Sequence, residues 1–365
     1  MDDEISSANN RQKRNRKKKG EVKLADVAQR AGVSPATVSR SLNQPDKVSA
    51  KAREKIDAAI AELNWVPHAG ARALASHSSR LIGVIVATLG NPNVATGLQA
   101  IERRLAKERY SLIIACDDMD AAKQIAHARM MLERGVDALI LHGEGHHPDV
   151  FSFLQSQDTP VIVNHAFAEF EGCLSVGYDA YAEFSAMTRH LVELGHTRIG
   201  LMMLTTPELE LAGDKEPFER VKTKAQSIFD TLAAHKLKID PSHLTNTFFS
   251  INSGRRCFQK IMSSKSPPTA IFCMNDQMAI GAIIESRSMN IRVPEDVSII
   301  GCDDIELAAL IEPSLTTLRP PDEAMGRAAA EQALLCITEN KSASGRIEFP
   351  AEFIIRSSTA PPKKP

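Results

Sequence analysis

The 365-residue sequence lacks the marks of several protein classes. Its six cysteines are scattered, with no C-x-x-C pair and no His-plus-Cys ligand spacing, so we expect reduced thiols rather than disulfides or a metal site. No run of about eighteen apolar residues is present, which predicts no membrane span. The first residues contain no apolar signal-peptide region, so we expect a cytoplasmic protein. Without a Walker-type phosphate loop or a nucleophile-and-base constellation, the sequence predicts neither an enzyme nor a bound cofactor.

Charge is distributed unevenly along the chain. Residues 1–80 contain 16 Lys and Arg against 9 Asp and Glu, whereas the remainder contains 28 against 36. A basic N-terminal segment followed by an acidic remainder is typical of a nucleic-acid-binding module joined to a domain that does not bind nucleic acid. No apolar side chain that could pack in a core is present in residues 11–19, which read Arg-Gln-Lys-Arg-Asn-Arg-Lys-Lys-Lys. We therefore expect residues 1–20 to form a disordered basic arm. Such an arm either adds phosphate contacts on DNA or is only a solvated tail.

Residues 24–43 predict two short helices joined by a tight turn. Gly32 can take the left-handed conformation that ends the first helix. Ser34 then stands at the N-cap of the second helix, and Pro35 at its first position, where the missing N–H costs nothing. Val38 begins the apolar face of that helix. The apolar face of the first helix consists of residues at helical spacing, namely Leu24, Val27, Ala28 and Ala31.

The second of these helices presents small polar residues and one arginine. Such a helix-turn-helix can place its second helix in the major groove of DNA. Arg40 is the expected base reader, because a guanidinium can donate two hydrogen bonds to O6 and N7 of guanine. The alternative is an ordinary helical hairpin on which Arg40 is a solvated charge. The predicted DNA contacts in this segment are Ser34, Pro35, Ala36, Thr37, Ser39, Arg40 and Asn43.

The same segment resembles the DNA-binding headpiece of the LacI/GalR (lactose-repressor) family. It carries the family pattern D-V-A-x-x-A-G-V-S-x-x-T-V-S-R-x-L-N from Asp26 to Asn43. The resemblance implies a transcriptional repressor that binds a near-palindromic double-stranded DNA operator as a homodimer. It also implies a headpiece over residues 22–66, in which a third helix begins after Ser49 and ends before Trp65.

Residues 67–79 are expected to be either a hinge helix or a plain linker. In the family this segment folds on the operator, where an apolar side chain enters the minor groove and kinks the duplex. Leu74 stands at the matching position, and Arg72 is expected to contact DNA beside it. His68 departs from the family, which carries asparagine there.

From Leu81 onward, strand-like and helical segments alternate in two series, which predicts two lobes built on parallel sheets. Stretches such as Asn275-Asp276-Gln-Met-Ala and Gly301-Cys-Asp303-Asp304 extend the family resemblance through this region. It implies an α/β effector domain of the periplasmic-binding-protein kind, with two doubly wound parallel sheets. The expected boundaries are 80–178 and 319–346 for the N-terminal lobe, and 179–318 and 347–358 for the C-terminal lobe.

Polar residues that follow the predicted strands are the candidate ligand contacts. Ligands of open parallel sheets bind outside the carboxyl ends of the strands, and two facing lobes would place those ends along one cleft. Each such residue alternatively caps a helix. The predicted effector contacts after strands are Asn91, Asn164, Asn275 and Asp303, and Asp179 is expected at a crossing between the lobes. The family resemblance adds Arg220, which stands where the family carries an effector-binding arginine at the start of a helix. We expect a small polar effector, a sugar or a sugar derivative.

Several positions depart from the family around this cleft. Asn93, Lys224 and Pro320 replace two aromatic positions and a glutamine, which weakens the case for a sugar stacked on a ring. The alternatives are a vestigial cleft controlled by a protein partner, or a cytoplasmic solute-binding protein. His142, His146 and His147 surround a glycine but have no acidic or thiol partner at ligand spacing, so we expect no metal site.

Overall fold

The computed structural model divides the chain into two compact units, residues 1–79 and residues 80–365. The expected basic arm, residues 1–20, and most of the expected hinge lie outside the part of the chain that the structure describes. The residues described are 22–66, 78–118, 120–144, 146, 148–204, 219–248 and 250–363.

The first unit is a small helical domain. Its helices are α1 (Leu24–Ala31), α2 (Pro35–Asn43) and α3 (Ala50–Leu63). Gly32 ends α1 with φ of 67°, and the Ser34 hydroxyl accepts a hydrogen bond from the Thr37 N–H at 3.1 Å, as predicted for the turn and the cap. The Ser49 hydroxyl caps α3 in the same way. The helices close on buried Val27, Ala28, Ala31, Val38, Ile56, Ala59 and Trp65.

A parallel sheet, the first sheet, organises one half of the second unit. Within the described residues it contains β1 (Leu81–Val86), β2 (Ser111–Cys116), β3 (Ala138–His142), β4 (Val161–Asn164), β5 (Leu174–Gly177) and β11 (Gly345–Glu348). The spatial order is β11-β5-β4-β3-β1-β2, and every pair is parallel. β3 and β4 are wholly or largely buried and read as continuous aliphatic runs, as strands covered on both faces should.

A second parallel sheet organises the other half. Within the described residues it contains β6 (Ile199–Leu204), β7 (Leu244–Thr247), β8 (Ala270–Cys273) and β9 (Ser298–Ile300), in the order β7-β6-β8-β9. Two short strands, β10 (Thr317–Arg319) and β12 (Glu352–Ile354), pair antiparallel beside the sheets. Each parallel sheet with its helices is called a lobe below.

Helices cover these sheets. In the part of the chain that the structure describes, these helices are α4 (Pro92–Lys107), α5 (Ala121–Glu133), α6 (Pro148–Gln155), α7 (Ala180–Glu193), α8 (Glu219–Ala234), α9 (Ile251–Met262), α10 (Asp276–Ser288), α11 (Glu306–Leu310) and α12 (Asp322–Glu339). Phe184 of α7 stacks on Phe272 of β8 with ring centroids 5.4 Å apart. Both rings are fully buried.

The expected lobe boundary after Arg346 falls inside β11. Ile347 pairs in register with Val176, and the Phe349 N–H donates to the Gly177 carbonyl at 2.8 Å. Backbone pairing with β5 therefore keeps the chain in the first sheet through Glu348, and the crossing to β12 follows it.

α4 and α12 pack closely through two glycines. A Cβ on Gly326 would overlap the Gly97 carbonyl, whereas a Cβ on Gly97 would lie 3.7 Å from the Asp322 carbonyl oxygen, an ordinary contact. Only Gly326 therefore has to lack a side chain for the helices to reach this distance.

Gly326→Ala is expected to lower the free energy of unfolding by about 1–3 kcal/mol, because the added methyl group forces the two helices apart. Gly97→Ala is the matched control and should be neutral or slightly stabilising, since alanine favours helix over glycine. Urea unfolding of both variants measures this. Equal losses in the two variants would contradict the close approach.

Candidate DNA-reading helix and ligand cleft

The exposed side of α2 carries the predicted DNA contacts. Pro35, Ala36 and Arg40 are exposed, and Thr37 and Ser39 are partly buried. The opposite side carries Val38, which is fully buried in the helical core. The sequence pattern therefore places one side of α2 in the core and leaves the arginine in solvent.

An exposed ion pair joins α1 to α3. Arg30 at the end of α1 contacts Glu62 of α3, with 2.8 Å between Nε and Oε1. Both side chains are more than half exposed, so the pair adds little stability.

Asn91 and Asp303 meet across the two lobes. Asn91 follows β1 and Asp303 follows β9, and the Asn91 Nδ2 donates to Asp303 Oδ2 at 3.0 Å. Asn93 donates from Nδ2 to the Asp303 carbonyl, and Gln277 donates from Nε2 to the Gly90 carbonyl at 3.2 Å. These three hydrogen bonds join the carboxyl ends of the two sheets. The predicted cleft is therefore bridged by the protein itself.

Asp303 has an unusual environment. Its φ is 123°, a left-handed value that aspartate seldom adopts, and its side chain also accepts from the Cys302 thiol at 3.7 Å. Burial raises the pKa of the Asp303 carboxyl to about 6. The Lys224 ammonium lowers this pKa, while the Asp322 carboxylate raises it. The carboxylate is thus ionised at neutral pH, in contact with groups from both lobes.

Three predicted contacts also cap helices. Asn91 caps α4, Asp179 caps α7 through the Ala182 N–H at 2.9 Å, and Asn275 caps α10 through the Met278 N–H at 2.9 Å. In each of these three side chains, an oxygen atom caps a helix, as the alternative interpretation predicted. Asn91 still reaches Asp303 through its amide nitrogen, so capping and a place in the cleft are compatible.

Asn164, at the end of β4, caps no helix. It is 2% exposed, and its Oδ1 has no hydrogen-bond partner. His165, next in the chain, has φ of 61° and places Nε2 3.4 Å from Asp322 Oδ1. The His165 ring also lies edge-on to Tyr178, with centroids 5.4 Å apart. Asn164, His165 and Tyr178 thus lie at the carboxyl end of the first sheet, next to Asp322.

Sequence reasoning missed several cleft residues. Tyr178 follows β5 by one residue, so the strand-end rule would have found it had β5 been predicted. Glu144 stands two residues past β3, and His165 directly after the predicted Asn164. Asp322, which opens α12, carries no local signal, since acidic residues are common in the first turn of any helix.

Asp304 of the second lobe forms ion pairs with the segments in which the chain crosses between the lobes. Its carboxylate contacts Arg319 of β10 at 2.6 Å and Arg356, just after β12, at 2.6 Å. Arg319 also contacts Glu352 of β12 at 2.9 Å. The neighbour of the cleft residue Asp303 is thereby fixed to both strands that lead from one lobe to the other.

Some predicted contacts lie outside the described residues. These are Arg72 and Leu74 of the hinge, together with the side chains of Asn43 and Arg220. A search of the described residues finds no group of three His, Cys, Asp or Glu placed to hold a metal ion. Nor does any helix in the described ranges have the length and apolar character needed to cross a membrane.

Two family models match the chain. Residues 23–68 match bacterial regulatory proteins of the lacI family, and residues 188–359 match a periplasmic binding protein-like domain. The chain is also 32% identical over 338 residues to the HTH-type transcriptional repressor PurR of Haemophilus influenzae, covering 92% of this chain and 98% of that protein. This chain belongs to the LacI family. The predicted family and the helix-turn-helix plus two-lobed α/β fold are confirmed.

Solved structures of LacI-family proteins agree with this fold. One is the lac repressor dimer bound to operator and the anti-inducer ONPF, 26% identical with a TM-score of 0.76, covering 93% of this chain and 100% of that one. Another is a LacI-family regulator from Enterococcus faecium with bound ribose, 28% identical with a TM-score of 0.65, covering 78% and 100%. As a LacI-family member, the chain is a DNA-binding transcription regulator with a small-molecule effector domain.

Arg40→Ala is expected to relax base preference at one position in each half-site, at a cost of about 1–3 kcal/mol in specific binding. The reason is that a guanidinium recognises guanine through two hydrogen bonds. Competition binding with operator variants measures the effect. Arg53→Ala, which removes an exposed arginine from α3, is the control and should leave base preference unchanged. Unaltered discrimination by Arg40→Ala would contradict the assignment.

The raised pKa of Asp303 predicts a pH-dependent stability. The unfolded chain ionises this carboxyl near its ordinary value of 3.8, and the folded chain near 6, so folding takes up a proton between these values. The contribution of Asp303 to stability therefore falls as pH rises through this window, by about 3 kcal/mol at about 1.4 kcal/mol per pKa unit. Unfolding of the wild type and Asp303→Asn from pH 4 to 7 measures it. The variant should gain relative stability with pH, and a constant difference would contradict the pKa.

Proposed function

We propose that this chain is a homodimeric repressor, not an enzyme, and that a small polar metabolite bound between the lobes sets its affinity for operator DNA. The observation that carries the proposal is the bridge at the cleft, where Asn91 and Asn93 of one lobe hold Asp303 of the other. A ligand in this cleft competes with these hydrogen bonds or completes them. Lobe arrangement and ligand occupancy are therefore coupled.

On DNA, the exposed side of α2 reads the major groove and Arg40 contacts guanine. A dimer is required because two half-sites must be read by two equivalent helices. The lac repressor, similar to this chain along most of its length, is described as a dimer bound to operator. In the proposed complex the hinge carries Arg72 and Leu74 to the minor groove, and the basic arm adds phosphate contacts.

In the effector domain, the proposed ligand contacts are Asn91, Asn164, Asp179, Arg220, Asn275 and Asp303. The similar Enterococcus faecium regulator, whose structure holds ribose, favours a polyhydroxylated ligand. Such an effector changes operator affinity only if it binds one lobe arrangement better than the other. Asp304, next to Asp303, contacts Arg319 of β10 and Arg356 after β12, so a change at the cleft reaches these crossing segments.

Selection of operator DNA tests this function. The full-length chain is incubated at one stated salt concentration with sheared DNA of the bacterium that carries the gene, and bound fragments are sequenced. The proposal predicts one near-palindromic site whose half-sites lie about one helical turn, or a multiple of it, apart. A parallel selection with Arg40→Ala should retain the spacing and lose one base preference per half-site. Fragments without a common sequence, at several salt concentrations, would contradict the proposal.

A further inference from the structure

Three buried oxygen atoms without hydrogen-bond partners lie at the carboxyl end of the first sheet. They are Asn164 Oδ1, the Tyr178 hydroxyl and Glu144 Oε2. Asn164 and Tyr178 are 2% and 3% exposed. Buried polar groups are hydrogen-bonded in nearly all proteins, so an unpartnered group requires an explanation. Three such groups at one sheet edge indicate the place of a ligand.

Backbone pairing places these residues beside one another. β3 and β4 are adjacent, with His142 in register with Asn164, and the Gly143 N–H donates to the Asn164 carbonyl at 2.8 Å. Glu144 is held by one oxygen only, since Oε1 accepts from the Phe167 N–H at 3.2 Å. The second carboxylate oxygen is thereby positioned and left for another donor.

The charges around these atoms are unequal. Burial is the main cause of the raised pKa of the Tyr178 hydroxyl, and the Cys302 thiol and the carboxylates of Asp303, Glu144 and Asp322 raise it further. His165 contacts Asp322, and the Lys224 ammonium, 5.9 Å from the centre of the Tyr178 ring, acts on Asp303. Among the described residues no cation pairs with Glu144. This side of the cleft therefore has an excess of negative charge.

We propose that the effector carries a protonated amino group that donates to Glu144, with its remaining polar groups bonded to Asn164 and Tyr178. The inference rests on the proposed function, because it names the ligand class of the same cleft. An anionic ligand would be repelled by the Glu144 carboxylate, which has no cationic partner among the described residues. A neutral polyol would satisfy the hydrogen bonds of Asn164 and Tyr178 but bring no opposite charge to the buried Oε2 of Glu144. An ammonium group supplies both the hydrogen bond and the opposite charge.

The test uses metabolites sorted by charge. A metabolite extract of the bacterium that carries the gene is separated at pH 7 on cation- and anion-exchange resins into cationic, neutral and anionic fractions. Each fraction is added to the full-length chain, and the melting temperature and the operator affinity are measured. The proposal predicts that the cationic fraction raises the melting temperature and changes operator affinity. A shift confined to neutral or anionic metabolites that carry no amino group would overturn it.

Two variants separate the ammonium contact from a general effect of the cleft. Glu144→Gln keeps the shape of the side chain and removes its charge, so it should weaken binding of the purified active compound about tenfold or more. Tyr178→Phe removes only the hydroxyl and should weaken it less. Glu133→Gln, which removes an exposed charge at the end of α5, is the matched control and should bind normally. Equal affinity of Glu144→Gln and the wild type, with both chains folded by circular dichroism, would overturn the assignment.

The outcomes also distinguish this inference from the proposed function. A metabolite without an amino group that binds and changes operator affinity would overturn the ammonium contact and leave the effector-controlled regulator intact. Operator binding that no fraction changes, together with no thermal shift, would overturn both.

Discussion

The hydrogen bond between Asn91 and Asp303 is the contact on which the effector domain depends. Each residue follows the end of a buried parallel strand, and the two strands belong to different sheets. In parallel sheets that helices cover on both faces, the strands are apolar and the polar side chains lie at the strand ends. A polar cleft between two such sheets is thus a consequence of the topology. In this chain, side chains of the protein itself bridge the cleft.

Much of the helical headpiece could be predicted because its determinants are local. Gly32, Ser34 and Pro35 act through the backbone of their own turn, and the buried face of each helix follows from periodicity. The aliphatic strands could also be predicted from the sequence, because a run such as Ala138–His142 has the composition of a strand covered on both faces. β5 and β7 were missed because they read Leu-Ser-Val-Gly and Leu-Thr-Asn-Thr, without a continuous aliphatic run.

The candidate cleft was predictable only in part. The strand-end rule found Asn164 and Asp303, which the structure places on the two sides of one cleft. It could not find that Asn91 meets Asp303, because 212 residues separate them in the chain. Glu144 and Asp322 acquire their significance from neighbours in the fold, since an unpartnered oxygen or a shared charge has no signature in the sequence. A side chain such as Asn91 can cap a helix and also contact the cleft, so these two interpretations of Asn91 could not be separated before the structure was known.

The central claim is that contacts across this cleft control DNA binding. Asn93→Ala combined with Gln277→Ala removes two of the hydrogen bonds between the lobes and leaves Asp303 and the helix caps in place. Operator dissociation constants of this double variant and of the surface control Gln226→Ala, with small-angle scattering to report lobe opening, give the most direct test. The account predicts that the double variant opens and that its operator affinity changes about fivefold or more with base preference retained. Open lobes with unchanged operator affinity would contradict it.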